Sequence, residues 1–278
     1  GAIGDMIMIT PLLRLLAEDG YHVTVNCAPY SLAVLDNNPH VHNVILHERG
    51  IIPNAGARSE LGHYWDTWKT RYDRYVNLSE SIEGTLLKTE GRRDFYTSLE
   101  WRNRTCSKNY YDYTMELGGY PDKKGLRGEI YFSEKENDFV RYIRKQYKDK
   151  FLVVCSLLGT SHHKVYPLMP LVLSDWLDRH NDALALLMGD DRAKPYVWDH
   201  PRVVNLVGKT NVREMFCYVA AADCVVGPET SITNAAGALD RPVITMLSHS
   251  GHDQLCCNFK YDYCLAPDPA LAPCYGVN

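Results

Sequence analysis

Apolar and polar positions along the chain alternate between strand-like and helix-like spacing. Apolar residues recur at helical intervals from Met6 to about Glu18. Thr10 suits an N-cap and Pro11 a first helical position, so the helix is expected to begin irregularly at Asp5 and regularise after Thr10. Gly20 is expected to end it. Tyr21–Cys27 alternates as a strand, with Val23, Val25 and Cys27 on one face. A helix over Ser31–Asn37, a turn at Asn37-Asn38-Pro39 and strands at Val44–His47 and Tyr72–Leu78 follow. Strands and helices alternating at this spacing predict parallel βαβ units.

The periodicity weakens over residues 79–120, which are rich in Arg, Lys and Tyr, and the breakers around Gly118-Gly119-Tyr120-Pro121 and Gly125 mark the approach to a domain boundary. Ser133 with Glu136 three residues on makes a capping box for a helix to about Tyr147. A second series then runs strand 151–157, helix 168–179, strand 183–188, helix 194–198, strand 203–206, helix 212–222, strand 224–226, helix 231–238 and strand 242–246. Two successive α/β series of similar size predict two facing Rossmann-like domains, 1–132 and 133–278. Each would hold a parallel sheet, with a ligand cleft at the strands' carboxyl ends.

Composition narrows the class. The 278 residues are 45% hydrophobic and 23% charged, ordinary for a globular chain. A net charge of −4 argues against nucleic-acid binding, which needs a basic surface to displace counterions. No apolar run approaches the ~20 residues that span a bilayer, and without a basic-then-apolar opening no secretory leader is expected. Nine cysteines without regular spacing fit a reducing compartment. A cytoplasmic location is therefore expected, with at most peripheral contact at the inner face of the cytoplasmic membrane. Both ends look trimmed, because residue 1 already belongs to a turn and the last residues stop without a closing helix.

Four stretches could carry chemistry, each with a plainer alternative. Gly1-Ala-Ile-Gly4-Asp5 lets backbone approach a ligand beside a helix start that favours negative charge. It lacks the third glycine of a dinucleotide fingerprint and the Gly-Lys-Ser/Thr of a phosphate loop, and could be a tight turn capped by Asp5. Gly159-Thr160-Ser161-His162-His163-Lys164 follows a buried strand and offers hydroxyls and a mobile cation to a pyrophosphate, or is an exposed polar loop. Gly227-Pro-Glu229-Thr230-Ser231-Ile-Thr233-Asn234-Ala-Ala-Gly237 joins a strand to a helix of small residues. Thr230 or Ser231 would cap that helix and Glu229 could accept from sugar hydroxyls, unless this is simply a well-capped helix. Cys256, Cys257, Cys264 and Cys274 match no known zinc spacing and are expected to be ordinary thiols, with His162, His163, His249 and His252 structural or solvated. Arg92 and Arg93, within a basic run from Lys88 to Lys108, form either a solvated face or a surface for an anionic acceptor.

In this order the pieces resemble glycosyltransferase family 9, the ADP-heptose:lipopolysaccharide heptosyltransferases. The resemblance rests on Gly-Ala-Ile-Gly-Asp-Met-Ile-Met-Ile-Thr-Pro-Leu-Leu at 1–13 and on Asn38-Pro39-His40-Val41-His42-Asn43-Val44-Ile45. In the second half it rests on the stretches at 203–210, 220–230 and 238–244. It is weakest over 50–125. It implies a GT-B fold, an acceptor side in the first domain, a nucleotide-sugar site in the second, and inversion at the anomeric carbon with no cofactor or metal required. By the same resemblance Asp5 is the base; Gly4, Thr10, Arg92 and Arg93 are expected on the acceptor side or in the cleft. Thr160, Ser161, Lys164, Glu229, Thr230, Ser231 and Asn234 then hold the donor, an ADP-sugar. The sequence departs from the family where Glu229 stands for Asp, Ser231 for Gly and Asn234 for His.

The implied reaction moves a sugar, heptose from ADP-heptose, onto an anionic glycan or glycolipid such as lipopolysaccharide core. Two rivals are a nucleotide-sugar epimerase of the same architecture and a non-catalytic nucleotide-sugar-binding relative. A nicotinamide-dependent oxidoreductase is opposed by the missing third glycine.

Overall fold

The computed structural model describes residues 2–47, 50, 58–78, 100, 107–159, 164–248 and 250–268. Helix α1 spans Ile3–Glu18 without interruption, two residues earlier than the expected start at Asp5 and regular through Thr10 rather than only after it. Pro11 cannot donate to the carbonyl of Ile7, four residues back. The Thr10 hydroxyl donates to that carbonyl instead, at 2.7 Å, so the helix keeps its satisfied carbonyl and passes through the proline. Asp5 accepts the Ala2 N–H at 2.6 Å and closes the first turn. Gly20, at φ +86°, ends the element in the left-handed region where a Cβ would be strained.

Strand β1 (Thr24–Cys27), helix α2 (Leu32–Leu35) and strand β2 (Asn43–Leu46) follow, and the two strands pair in parallel. The expected strand at Tyr72–Leu78 is irregular backbone. It is held by side chains: Val76 and Leu78 pack against Leu12, Leu15 and Met115. Arg74 donates to the Gly118 carbonyl at 2.6 Å and lies over the rings of Tyr21 and Tyr120. Helix α3 (Arg58–Lys69) precedes this segment, and helix α4 (Tyr110–Leu117) falls within the stretch where periodicity is weakest. Asn109 caps α4 by accepting the N–H groups of Tyr111 and Asp112.

The second series forms close to expectation. Helix α5 (Glu134–Gln146) starts on the Ser133–Glu136 capping box. Strands β3 (Phe151–Ser156), β4 (Ala183–Met188), β5 (Val203–Asn205), β6 (Cys224–Pro228), β7 (Val243–Met246) and β8 (Asp262–Leu265) make one six-stranded parallel sheet in the order β5-β4-β3-β6-β7-β8. Between them lie α6 (Met169–Arg179), α7 (Val212–Ala221), α8 (Ser231–Ala238) and the short α9 (His252–Leu255). The expected helix at 194–198 is a 3-10 turn, Asp191–Tyr196, with Pro195 inside it. β3 and β4 are almost continuously buried, as central strands of a sheet covered on both faces must be. β8, an edge strand, alternates between half-buried and exposed.

A single apolar core joins α1 and α4 to the second sheet: Met6, Ile7, Tyr110 and Tyr111 pack in one cluster with Val219, Ile232, Ala235 and Ala236. Arg213 of α7 ties the halves by polar contacts. It grips Glu136 with two donors, at 2.6 and 2.8 Å, and donates to the carbonyls of Ala33 (3.0 Å) and Tyr131 (2.6 Å). Side-chain exposures of 12% for Arg213 and 19% for Glu136 leave little water to replace these bonds. Arg213→Ala should therefore destabilise by about 3 kcal/mol, read as a fall in the urea midpoint. Hydrogen bonding from Arg213, against burial, holds the Glu136 carboxyl down from 4.5 to about 2. Its contribution to stability is full above the unfolded value and lost as pH falls through the folded one. The acid arm of stability between pH 4.5 and about 2 should flatten in Glu136→Gln relative to wild type.

Candidate functional site

Two helix N-termini meet where α1 packs against α8. Gly4, in the first turn of α1, lies so close to α8 that a Cβ there would fall 2.9 Å from Asn234 Nδ2 and 3.9 Å from the Ser231 Cα. Asp5 follows directly and is partly accessible. The sequence places glycine here for close approach, and what approaches is the start of α8. The positive ends of both helices are thereby brought to one place, an arrangement that suits anions and developing negative charge.

The turn into α8 is built from the strand ends. Thr230 is the N-cap: its hydroxyl accepts the Ile232 N–H at 3.3 Å, while Thr233 Oγ1 accepts the Thr230 N–H at 2.9 Å. The Thr230 hydroxyl also lies 3.1 Å from that of Ser156, the last residue of β3, joining the two strand ends that frame the site. Glu229 is 6% exposed and its carboxylate accepts a hydrogen bond from Ser248, which follows β7. Lys164 donates to the Glu229 carbonyl at 3.1 Å, and its Nζ stands 3.9 Å from the carboxylate. A cation is thus held at the strand ends beside the capped helix. Gly159 leaves room for the lysine stem, since a Cβ there would lie 2.5 Å from Lys164 Cδ.

Gly227 is required by packing. Its Cβ would sit 2.6 Å from Ser156 Cβ and 2.8 Å from the Ser156 carbonyl oxygen, and the latter is backbone that cannot turn away. Gly227→Ala should cost ~1–3 kcal/mol and loosen the turn into α8. A lowered melting temperature is the expected result.

Of the residues expected in the site, Gly4, Asp5, Lys164, Glu229, Thr230, Ser231 and Asn234 lie on these two helix starts and the adjoining strand ends. Thr10 is elsewhere. It is fully buried, its hydroxyl donating to Ile7 and accepting the Glu129 N–H at 2.7 Å, so it binds α1 to its neighbour. Thr160, Ser161, Arg92 and Arg93 lie outside the described residues, as do His162, His163, His249 and Cys274. Lys108, at the end of the basic run, is paired with Glu116 at 2.7 Å. Cys256, Cys257 and Cys264 are free thiols. Ser156 and Ser248 were not anticipated as site residues. Ser156 and Ser248 could have been found by asking which polar side chains follow the carboxyl ends of β3 and β7. Among the described residues no helix is long and apolar enough to cross a membrane.

Residues 180–255 match the model of glycosyltransferase family 9 (heptosyltransferase). No curated protein matches the sequence. Among solved structures, the chain is similar to a family 9 glycosyl transferase from Veillonella parvula, at 13% identity, 96% of this chain, 84% of that one and a TM-score of 0.66. It is similar to E. coli ADP-heptose lps heptosyltransferase II at 17% identity, with 96% and 88% covered and a TM-score of 0.62. It is likewise similar to E. coli heptosyltransferase WaaC with ADP at 14% identity, with 96% and 91% covered and a TM-score of 0.60. The fold is that of GT-B-type family 9 glycosyltransferases. With the family match over β4 to α9, it supports a glycosyltransferase of the heptosyltransferase type.

Proposed function

We propose, on the family 9 match and the shared GT-B fold, that this protein is an inverting glycosyltransferase that needs no metal for chemistry. It moves a sugar from an ADP-sugar, heptose in the first instance, onto an anionic glycan or glycolipid. The observation that carries this reading is the convergence of the α1 and α8 starts at Gly4 and Asn234, with Asp5 on one side and Lys164, Glu229 and Thr230 on the other. Residues 1–132 take the acceptor and residues 133–278 the nucleotide-sugar. One related structure is of a heptosyltransferase with ADP and another of an ADP-heptose enzyme, which is why adenine and heptose head the list of donors.

In this mechanism the acceptor hydroxyl gives its proton to Asp5 as it attacks the anomeric carbon. The bond to the nucleoside diphosphate breaks on the opposite face, and negative charge accumulates on the departing phosphate. Lys164 and the N–H groups at the start of α8 stabilise that charge, and preorganised donors of this kind lower the barrier without a metal. Glu229 and Asn234 meet donor hydroxyls. The acceptor works at the inner face of the membrane, where the protein is at most peripheral.

The test is calorimetric titration with ADP, GDP, UDP, CMP and NADH in EDTA, followed by transfer assays with the nucleotide-sugar that corresponds. Selective ADP binding with transfer to a phosphorylated glycan is the expected result. Release of free nucleotide with a rearranged sugar and no acceptor would make the protein an epimerase. Binding without turnover would make it a non-catalytic relative.

A further inference from the structure

His252, Asp262 and Cys264 converge at the edge of the sheet, apart from the residues assigned to sugar transfer. One ligand atom from each lies within 4.8 Å of the others. The two flanking elements explain the convergence. His252 opens α9, Asp262 opens β8, and Cys264 lies two positions further along β8, so Asp262 and Cys264 leave the strand on the same side. His252 Nε2 is 2.5 Å from Asp262 Oδ2, and the Cys264 thiol donates to Asp262 Oδ1 at 3.0 Å. The Asp262 side chain is 8% exposed, so one side of the cluster is closed to water. The other ring nitrogen of His252 faces Asp253 Oδ1 at 3.1 Å, a carboxylate that would fix the ring with Nε2 toward the cluster.

We propose that His252 Nε2, Asp262 and Cys264 form a three-ligand site for a divalent transition-metal ion of the zinc type. One nitrogen, one oxygen and one sulfur are donor types that such dications take. Binding displaces the Cys264 thiol proton to solvent and replaces the hydrogen bonds among the three side chains with bonds to the metal, so uptake is favoured by rising pH. The bound ion would pin α9 to β8, tying the edge strand to the element before it. The site is structural and takes no part in sugar transfer, so it stands or falls independently of the proposed reaction.

The test is cobalt(II) titration of the metal-free, reduced full chain, with zinc competition and elemental analysis of protein purified without chelator. Expected are a single equivalent bound, intense thiolate-to-cobalt absorption with tetrahedral d–d bands, and loss of both on adding zinc. Cys264→Ser and His252→Ala should each weaken binding by at least tenfold, whereas Cys257→Ser, whose exposed thiol lies outside the cluster, should bind as wild type does. Absence of thiolate-to-cobalt bands in the wild-type protein overturns the proposal whatever the variants do. So does a Cys256–Cys264 disulfide as the resting state under non-reducing purification, or retained binding in both variants.

Discussion

Purified Asp5→Ala should fold as wild type does and transfer sugar ~10²–10⁴ times more slowly, the usual worth of a positioned general base. Asp5 has two roles, and they can be separated. Its carboxylate accepts the Ala2 N–H and closes the first turn of α1, so alanine also removes a cap. Loss of a cap costs about 1 kcal/mol and cannot by itself produce such a rate loss. Asp5→Asn keeps an acceptor for Ala2 but cannot take a proton. If asparagine restores the melting temperature and not the rate, the loss belongs to proton transfer. Near-wild-type transfer by Asp5→Asn would remove Asp5 from the base role, and the proposed mechanism would need another carboxylate within reach of the acceptor.

Lys164→Ala should lower the transfer rate ~10²–10³-fold, the cost of deleting one preorganised donor to a leaving group. ADP affinity should fall with it, because the same ammonium meets the ground-state phosphates. The Lys164 side chain is 15% exposed and that of Glu229 6%, so alanine also leaves a buried carboxylate without its cation. A stability loss of about 3 kcal/mol is expected from that alone. Glu229→Gln combined with Lys164→Ala should recover most of the lost stability while leaving nucleotide binding weak. Unchanged ADP affinity in folded Lys164→Ala would detach Lys164 from the donor.

Much of the second half was readable from periodicity because its strands are short apolar runs bounded by caps and glycines. The predicted strand at 183–188 and helix at 231–238 coincide with β4 and α8, and the Ser133–Glu136 box opens α5 as read. Local rules failed where a distant partner decided the outcome. Tyr72–Leu78 carries strand-like residues but has no neighbouring strand to pair with, and Arg74 is instead held by Tyr21, Tyr120 and Gly118. Thr10-Pro11 looks like a helix start, yet the Thr10 hydroxyl satisfies the carbonyl that proline leaves bare.

The sequence by itself determined the α/β class, the order of the elements in the second half, and the residue types at Gly4, Asp5, Lys164 and Glu229–Asn234. Those follow from spacing, capping and side-chain chemistry within a few residues. The tertiary structure alone decided that the start of α1 abuts the start of α8, that Ser156 and Ser248 join the site, and that His252, Asp262 and Cys264 share one corner. Apart from Asp262 and Cys264, two positions apart on one strand, the residues in these contacts are 10 to 230 positions apart in the chain. They are brought together by sheet order and by the burial of a core common to both halves, which no local pattern encodes.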